Sequence, residues 1–130
     1  MPSFGTLKAD TLTHSTAGSV TTNFVVHGSN KMWIAFNGNS ATAYDSLNVA
    51  SETDGGTGDY TFNFTNNFSA AKAYSSGQSV DLESSGYPGS YIADDSTVLT
   101  SSIRVFPTRN TSGAMLDNGY NSLNCSGDLA

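Results

Sequence analysis

The segment Asp45–Thr65, DSLNVASETDGGTGDYTFNFT, leaves little freedom in how this chain can fold. Tyr60, Phe62 and Phe64 fall on one face of an extended strand, with Thr61, Asn63 and Thr65 on the other. That is the period-2 alternation of a strand with one buried and one wet face. Upstream, Leu47 and Val49 alternate with Ser46, Asn48 and Ala50. Between the two runs, TDGGTG supplies glycines able to take positive φ and an aspartate suited to turns. The expectation is one long antiparallel hairpin at the centre of the core.

A second run, KMWIAFN (Lys31–Asn37), places Met32, Ile34 and Phe36 on one face and Trp33 and Ala35 on the other. A strand apolar on both faces is expected to be covered on both, by a second sheet or by another subunit. Met32, Trp33, Ile34 and Phe36 are therefore the candidates for core or oligomer interface. Asn37-Gly38 carries the two-residue hairpin signal, because a type I′ turn needs positive φ at both central positions. Ser40–Tyr44 is its expected partner strand.

The remaining chain is less strongly patterned. Residues 1–23 are polar, with a short strand hinted at by Leu7, Ala9 and Leu12; they read as a frayed end or as an arm that packs on a neighbour. Phe24-Val-Val begins a short apolar run that His27-Gly28 interrupts. Ala70–Tyr74 reads as a strand or a helical turn, and Val80-Asp-Leu as a strand. Ser84–Ser96, SSGYPGSYIADDS, is a loop by composition. Ile103 and Val105 alternate with Ser102 and Arg104 in a strand ending at Pro107. Asn110-Thr-Ser-Gly reads as a hairpin loop, and Asn118–Asn124 as an edge strand, too polar for a central one.

Composition narrows the class. At 130 residues the chain is long enough for one domain burying roughly two-thirds of its unfolded surface. Only 12% of residues are charged, about half the usual share. Seven Phe, six Tyr and one Trp argue against disorder. The reading is an all-β protein, an antiparallel β-sandwich (jelly-roll-like or Ig-like) of about 7–9 short strands. Its division is an N-terminal anchoring or interaction arm at 1–23 and a sandwich at 24–130. A net charge of −6 disfavours nucleic acid and anionic membrane as partners. No apolar run approaches the roughly 20 residues of a spanning helix. The N-terminus has no basic stretch followed by an apolar core, so no secretory signal is expected. The sequons at Asn63, Asn67, Asn110 and Asn124 arise by chance in a chain so rich in Asn, Ser and Thr.

No catalytic constellation emerges. His14 and His27 sit in polar or turn-like contexts, without a nucleophile elbow nearby. Gly55-Gly-Thr-Gly lacks the Lys-Ser/Thr of a phosphate loop and joins two strands rather than a strand and a helix. Glu52, Asp54 and Asp59 flank that loop in a spacing that matches no calcium loop. Asp94 and Asp95 are adjacent, so on an extended chain they point apart. Cys125, the single cysteine, has no basic neighbour in sequence to activate it. No cofactor and no metal is expected. The Tyr87–Asp95 stretch has a different chemistry: Tyr87 and Tyr91 offer flat apolar faces, and Asp94 and Asp95 offer acceptors for hydroxyls, the combination that contacts glycans. The bland reading is that the tyrosines pin a long loop to the sandwich.

Two segments, KMWIAFNG (Lys31–Gly38) and DSLNVASETDGGTGDYTFNFTN (Asp45–Asn66), resemble a small β domain of tail-fibre-like virion proteins of tailed bacteriophages, especially marine and cyanobacterial ones. Its pattern is approximately K-x-W-x-x-F-N-G, then D-S-x-N-V-x-S, an Asp/Gly-rich turn and G-T-G-D-Y-T-x-N-F-T. Ile103-Arg-Val with Thr111-Ser-Gly-Ala-Met-Leu-Asp, and Gly5-Thr-Leu-Lys-Ala-Asp-Thr-Leu with Ala17-Gly18, are similar to the flanking parts of that domain. The Gly86–Asp95 loop has no counterpart in the pattern, and Gly119–Ser126 is more polar than its last strand.

The resemblance implies a non-enzymatic structural component of the virion, a short fibre, knob or head decoration displayed on the particle, homotrimeric and made in the host cytoplasm. Its partners would be itself and other virion proteins of capsid or tail. Attachment would run through the N-terminal segment, with Leu7, Lys8, Asp10 and Leu12 as anchoring candidates. The alternative expectation is an adhesin or lectin-like module binding a host cell-surface glycan, with Tyr44 joining the Tyr87–Asp95 set.

Overall fold

The computed structural model describes residues 9–16, 18–80, 86–92, 95–110 and 114–130, with backbone alone for 14, 86–92 and 108–110. Ten strands and one short helix are found among them. They are β1 (Thr11–His14), β2 (Gly18–Thr21), α1 (Thr22–Gly28), β3 (Asn30–Asn37), β4 (Thr42–Leu47), β5 (Val49–Gly56), β6 (Asp59–Phe64), β7 (Ser75–Val80), β8 (Gly86–Ile92), β9 (Ser102–Asn110) and β10 (Asn121–Ser126). Eight of these form two four-stranded antiparallel sheets, ordered β4-β3-β10-β7 and β5-β6-β9-β8; β1 and β2 pair separately. The fold is an all-β sandwich.

Alternation in the sequence builds the core directly. Met32, Ile34 and Phe36 of β3 and Leu123 and Cys125 of β10 face Tyr60, Phe62 and Phe64 of β6 and Ile103 and Val105 of β9, all buried. Phe36 bridges the sheets edge-on, its ring centre 4.9 Å from that of Tyr60 and 5.0 Å from that of Phe62. Phe68 closes one end, edge-on to Phe64 and stacked on Tyr74 at 4.1 Å. At the other end Tyr60 Oη donates within reach of both Gly38 O (2.9 Å) and Asp117 Oδ1 (2.7 Å).

The Asp45–Thr65 segment is not one hairpin. Asp45–Leu47 ends β4 in the first sheet, while Val49–Gly56 pairs with Asp59–Phe64 in the second. The chain changes sheets at Asn48, whose φ of 59° is in the left-handed region that asparagine tolerates. Its side chain holds the corner: Oδ1 accepts from Asn66 N at 2.6 Å, and Nδ2 donates to Asn66 O at 3.0 Å.

Asn37-Gly38 does not form the expected two-residue turn. The β3–β4 loop runs 38–41, and its positive φ (46°) falls at Ala41. Gly38 is needed for closeness instead: a Cβ there would lie 2.6 Å from Tyr60 Oη and 2.9 Å from Asn118 O.

Two further expectations are corrected. Gly86–Ile92, read as loop, is strand β8; as an edge strand with a bulge it tolerates Pro88. Asn118–Asn124, read as an edge strand, contains most of β10, which is central between β3 and β7. Its alternation is apolar only inward, and its outward Ser and Asn suit an open face. Phe24–Val26 lies in α1, whose residues are all outside the core. Val80 ends β7, and Asp81-Leu82 and residues 111–113 lie outside the described residues.

Candidate functional site

The first sheet has an outer face that no other element of the described chain packs on as a layer. Strand pairing sets its rows. Leu47, Trp33, Asn124 and Gly77 lie abreast across β4, β3, β10 and β7, and Asp45, Ala35, Ser122 and Ser79 form the next row. Residues opposite in register share a face, and i and i+2 on one strand do as well. Trp33 is half-buried, while Leu47 is 48% exposed.

The far end of this face carries two tyrosines. Phe36 pairs with Ala43 and Ala35 with Asp45, so Tyr44 is the extra residue of a β-bulge. Bulges re-aim side chains. Here Tyr44 stacks on Tyr120, with ring centres 6.1 Å apart and planes 20° from parallel. Tyr44 Oη donates to Gly119 O at 2.9 Å, which fixes the ring. Both rings remain open to solvent, at 59% and 45%.

Between the aromatic ends the surface is polar and small. Asp45 accepts from Ser46 N through Oδ1 at 2.8 Å. Level with Trp33 and beyond it, Asn124 donates to Asn30 Oδ1 at 3.2 Å, which Ser126 Oγ also approaches at 2.8 Å.

The sequence-derived candidates scatter. Met32, Ile34 and Phe36 are consumed by the core, and Trp33 alone of that set faces outward. Asp10 and Leu12 are exposed beside and on the β1–β2 hairpin; Leu7 and Lys8 lie outside the described residues. Tyr87 and Tyr91 take their places in β8, opposite Arg109 and Phe106, and their side chains lie outside the description, as does Asp94. Asp95 opens a 3-10 turn and binds Lys72 Nζ at 2.7 Å. That ion pair, with Tyr74 and Val98, lines an open groove of about 300 Å³.

The acidic residues around the β5–β6 turn do not converge. Glu52 pairs with Phe62 and Asp54 with Tyr60, on the inward rim, whereas Asp59 is bound on the opposite face by Arg104, with Nε 2.7 Å from Oδ1. Burial and the neighbouring Asp54 raise the pKa of Glu52. Among the described residues no group of three or more His, Cys, Asp or Glu side chains gathers as a metal site. Nor is any helix among them long and apolar enough to cross a membrane.

Sequence reasoning missed Tyr120 and Leu47. Both depend on register: Tyr120 faces outward only because Asn121 is buried opposite Phe36, and Leu47 only because the chain turns at Asn48. No family model matches this chain, and neither a curated protein nor a solved structure matches it at significance.

Proposed function

We propose that this chain is a non-enzymatic structural module displayed on a tailed-bacteriophage particle, as a short fibre, knob or decoration protein, and held there through its N-terminal unit. The carrying observation is a sandwich with its own core beside an appendage that exposes five apolar side chains and has no Asp, Glu, Lys or Arg after Asp10. In that appendage Leu12 pairs with Val20 across β1 and β2, and Thr22 N donates to Asp10 O at 2.9 Å where α1 begins. Leu12, Val20, Phe24, Val25 and Val26 are all exposed, Phe24 at 72%. From Thr11 to Asn30 the sequence has no Asp, Glu, Lys or Arg, in a chain of net charge −6.

A seven-residue helix with no buried side chain gains little stability by itself. Packing against a neighbour supplies what is missing, and an uncharged surface is where acidic copies approach with least repulsion. The resemblance of Lys31–Gly38 and Asp45–Asn66 to the phage virion domain supports the same reading, with a homotrimer and further virion proteins as partners.

Native mass spectrometry at micromolar concentration tests the assembly. The full chain is expected as a trimer, and a Phe24→Ser/Val26→Ser variant as a folded monomer. A monomeric full chain would remove self-assembly through this unit. Absence of the chain from the proteome of purified particles would overturn the virion location.

A further inference from the structure

We propose that the outer face of the β4-β3-β10-β7 sheet binds a neutral oligosaccharide, laid along the strands from Trp33–Leu47 to Tyr44–Tyr120. Tyr120 lies four positions from Asn124, which is level with Trp33, and Tyr44 lies three positions from Leu47 along β4. At a strand rise of about 3.3 Å per residue, the two aromatic ends are roughly 10–13 Å apart. That is the span of a di- to trisaccharide.

The chemistry of the face alternates as a sugar chain does. Pyranose rings present C–H faces that stack on aromatic planes, and hydroxyl rims that need acceptors and donors. Trp33 with Leu47 supplies one apolar platform, and the stacked Tyr44–Tyr120 pair the other. Asp45 and Ser122 lie between as a carboxylate and a hydroxyl, and Asn124 adds an amide level with Trp33. The small side chains of Ala35 and Ser79 keep the middle flat, and Gly77, level with Trp33, leaves room for Asn124, whose Oδ1 a Cβ would meet at 3.0 Å.

Charge selects the ligand class. Lys31 and Asp45 bring one charge of each sign to this face, so a neutral glycan is favoured over the polyanions that a basic cleft would attract. A protein partner fits less well: interface centres are contiguous apolar patches, and here a polar row separates the two apolar ends. The Tyr44 bulge is a further sign of construction, since it turns one aromatic of an edge strand onto another and anchors its hydroxyl on Gly119 O. The proposal does not rest on attachment through the N-terminal unit, and either can fail alone.

Trp33 is the single tryptophan, so its emission reports on this face alone. The full chain would be titrated with laminarin, xyloglucan and galactomannan, with alginate as the anionic control, and run in affinity gels containing each. At least one neutral polysaccharide is expected to retard the protein and to change Trp33 emission saturably. Tyr44→Ala and Tyr120→Ala, both at exposed positions, are expected to weaken that binding at least tenfold with unchanged thermal unfolding. No retardation by any of the neutral probes would overturn the proposal. So would retardation that leaves Trp33 emission unchanged, which places the sugar elsewhere, or retardation by alginate alone. Trp33 emission that shifts on dilution would also overturn it, because a second copy would then cover the face.

Discussion

Asn48 concentrates the demands of the fold on one side chain. It must hold a left-handed backbone where β4 leaves one sheet and β5 enters the other, and it must tie Asn66 across the corner through both amide atoms. Asn48→Ala removes those hydrogen bonds and leaves a Cβ-bearing residue in αL without compensation, so a loss of about 2–3 kcal/mol is expected. Asn48→Gly keeps the backbone and forfeits only the side chain, at about 1–2 kcal/mol. Urea unfolding of the two variants checks the order; equal losses would show that the side-chain bonds carry the corner and the backbone little. Cys125 presents a different single-residue case. Its thiol is fully buried, and desolvation pushes its pKa up to about 12. Burial likewise raises the pKa values of Tyr60 and Tyr74. All three stay protonated in the fold while the unfolded chain releases protons from about pH 9 for the thiol and pH 10 for the phenols, so the unfolded state binds fewer protons and stability falls as pH rises. The expected slope between about pH 9 and 10 is up to 1.4 kcal/mol per unit, and Cys125→Ala should move the onset to about pH 10. Thermal melts across pH 7–11 measure it. An unchanged onset in Cys125→Ala would assign the slope to other groups.

At the scale of elements, edges and centres are distinguished by fine detail. Both sheets end on the same side in β4 and β5, and each of these strands carries a bulge. β5 also turns Glu52 and Asp54 toward the inner rim, a placement that discourages another chain from pairing there. This protection has a cost in stability, because Glu52 Oε1 is buried without a hydrogen-bond partner and its charged form is disfavoured. Glu52→Gln is expected to stabilise the protein at pH 7 by under about 1 kcal/mol, since solvent screens a partly exposed carboxyl. The gain should shrink below about pH 4.5, where the carboxyl is protonated in either state; chemical unfolding at pH 7 and pH 4 checks the sign. The same detail decided what could be read from the sequence. β6 and β9 were legible because Tyr60-Phe62-Phe64 and Ile103-Val105 alternate with polar residues, and β3 because Met32, Ile34 and Phe36 recur at period 2 in an apolar run closed by Lys31 and Asn37. β8 was hidden by Pro88 and Gly86, which an edge strand accepts. β10 was mistaken for an edge because its outward residues are Ser122 and Asn124, although Leu123 and Cys125 fill the centre of the core. The aromatic face was only half visible: Trp33 and Tyr44 stand in recognisable strands, but Tyr120 gains its place from a pairing with β3 nearly ninety positions upstream.

That long-range pairing governs the whole molecule. β3 and β10, the first and last strands of the sandwich in chain order, lie side by side, with Phe36 opposite Asn121 and Met32 opposite Cys125. The last residues continue the closure: Leu129 pairs with Phe68, and Ala130 N donates to Asn67 O at 2.9 Å. Forming such contacts requires ordering nearly the whole intervening chain first, so the sandwich should fold slowly and as one cooperative unit. The N-terminal unit stands in the opposite relation. None of its described side chains is buried, and its link to the sandwich includes the contact of Lys31 Nζ with Ser29 Oγ. Two truncations should therefore behave oppositely. Removing residues 1–29 begins the chain at β3 and is expected to leave the melting temperature within about 3 °C, less than 1 kcal/mol for a domain of this size. Removing residues 120–130 strips Leu123 and Cys125 from the core and leaves β3 and β7 facing an empty slot, so an unfolded or aggregated product is expected. Amide exchange adds the intermediate reading: protection should be strongest in β3, β10, β6 and β9 and rise and fall together there, while β1, β2 and α1 exchange early in the isolated chain. A C-terminal truncation that still melted cooperatively would mean that the sandwich does not depend on its closing strand.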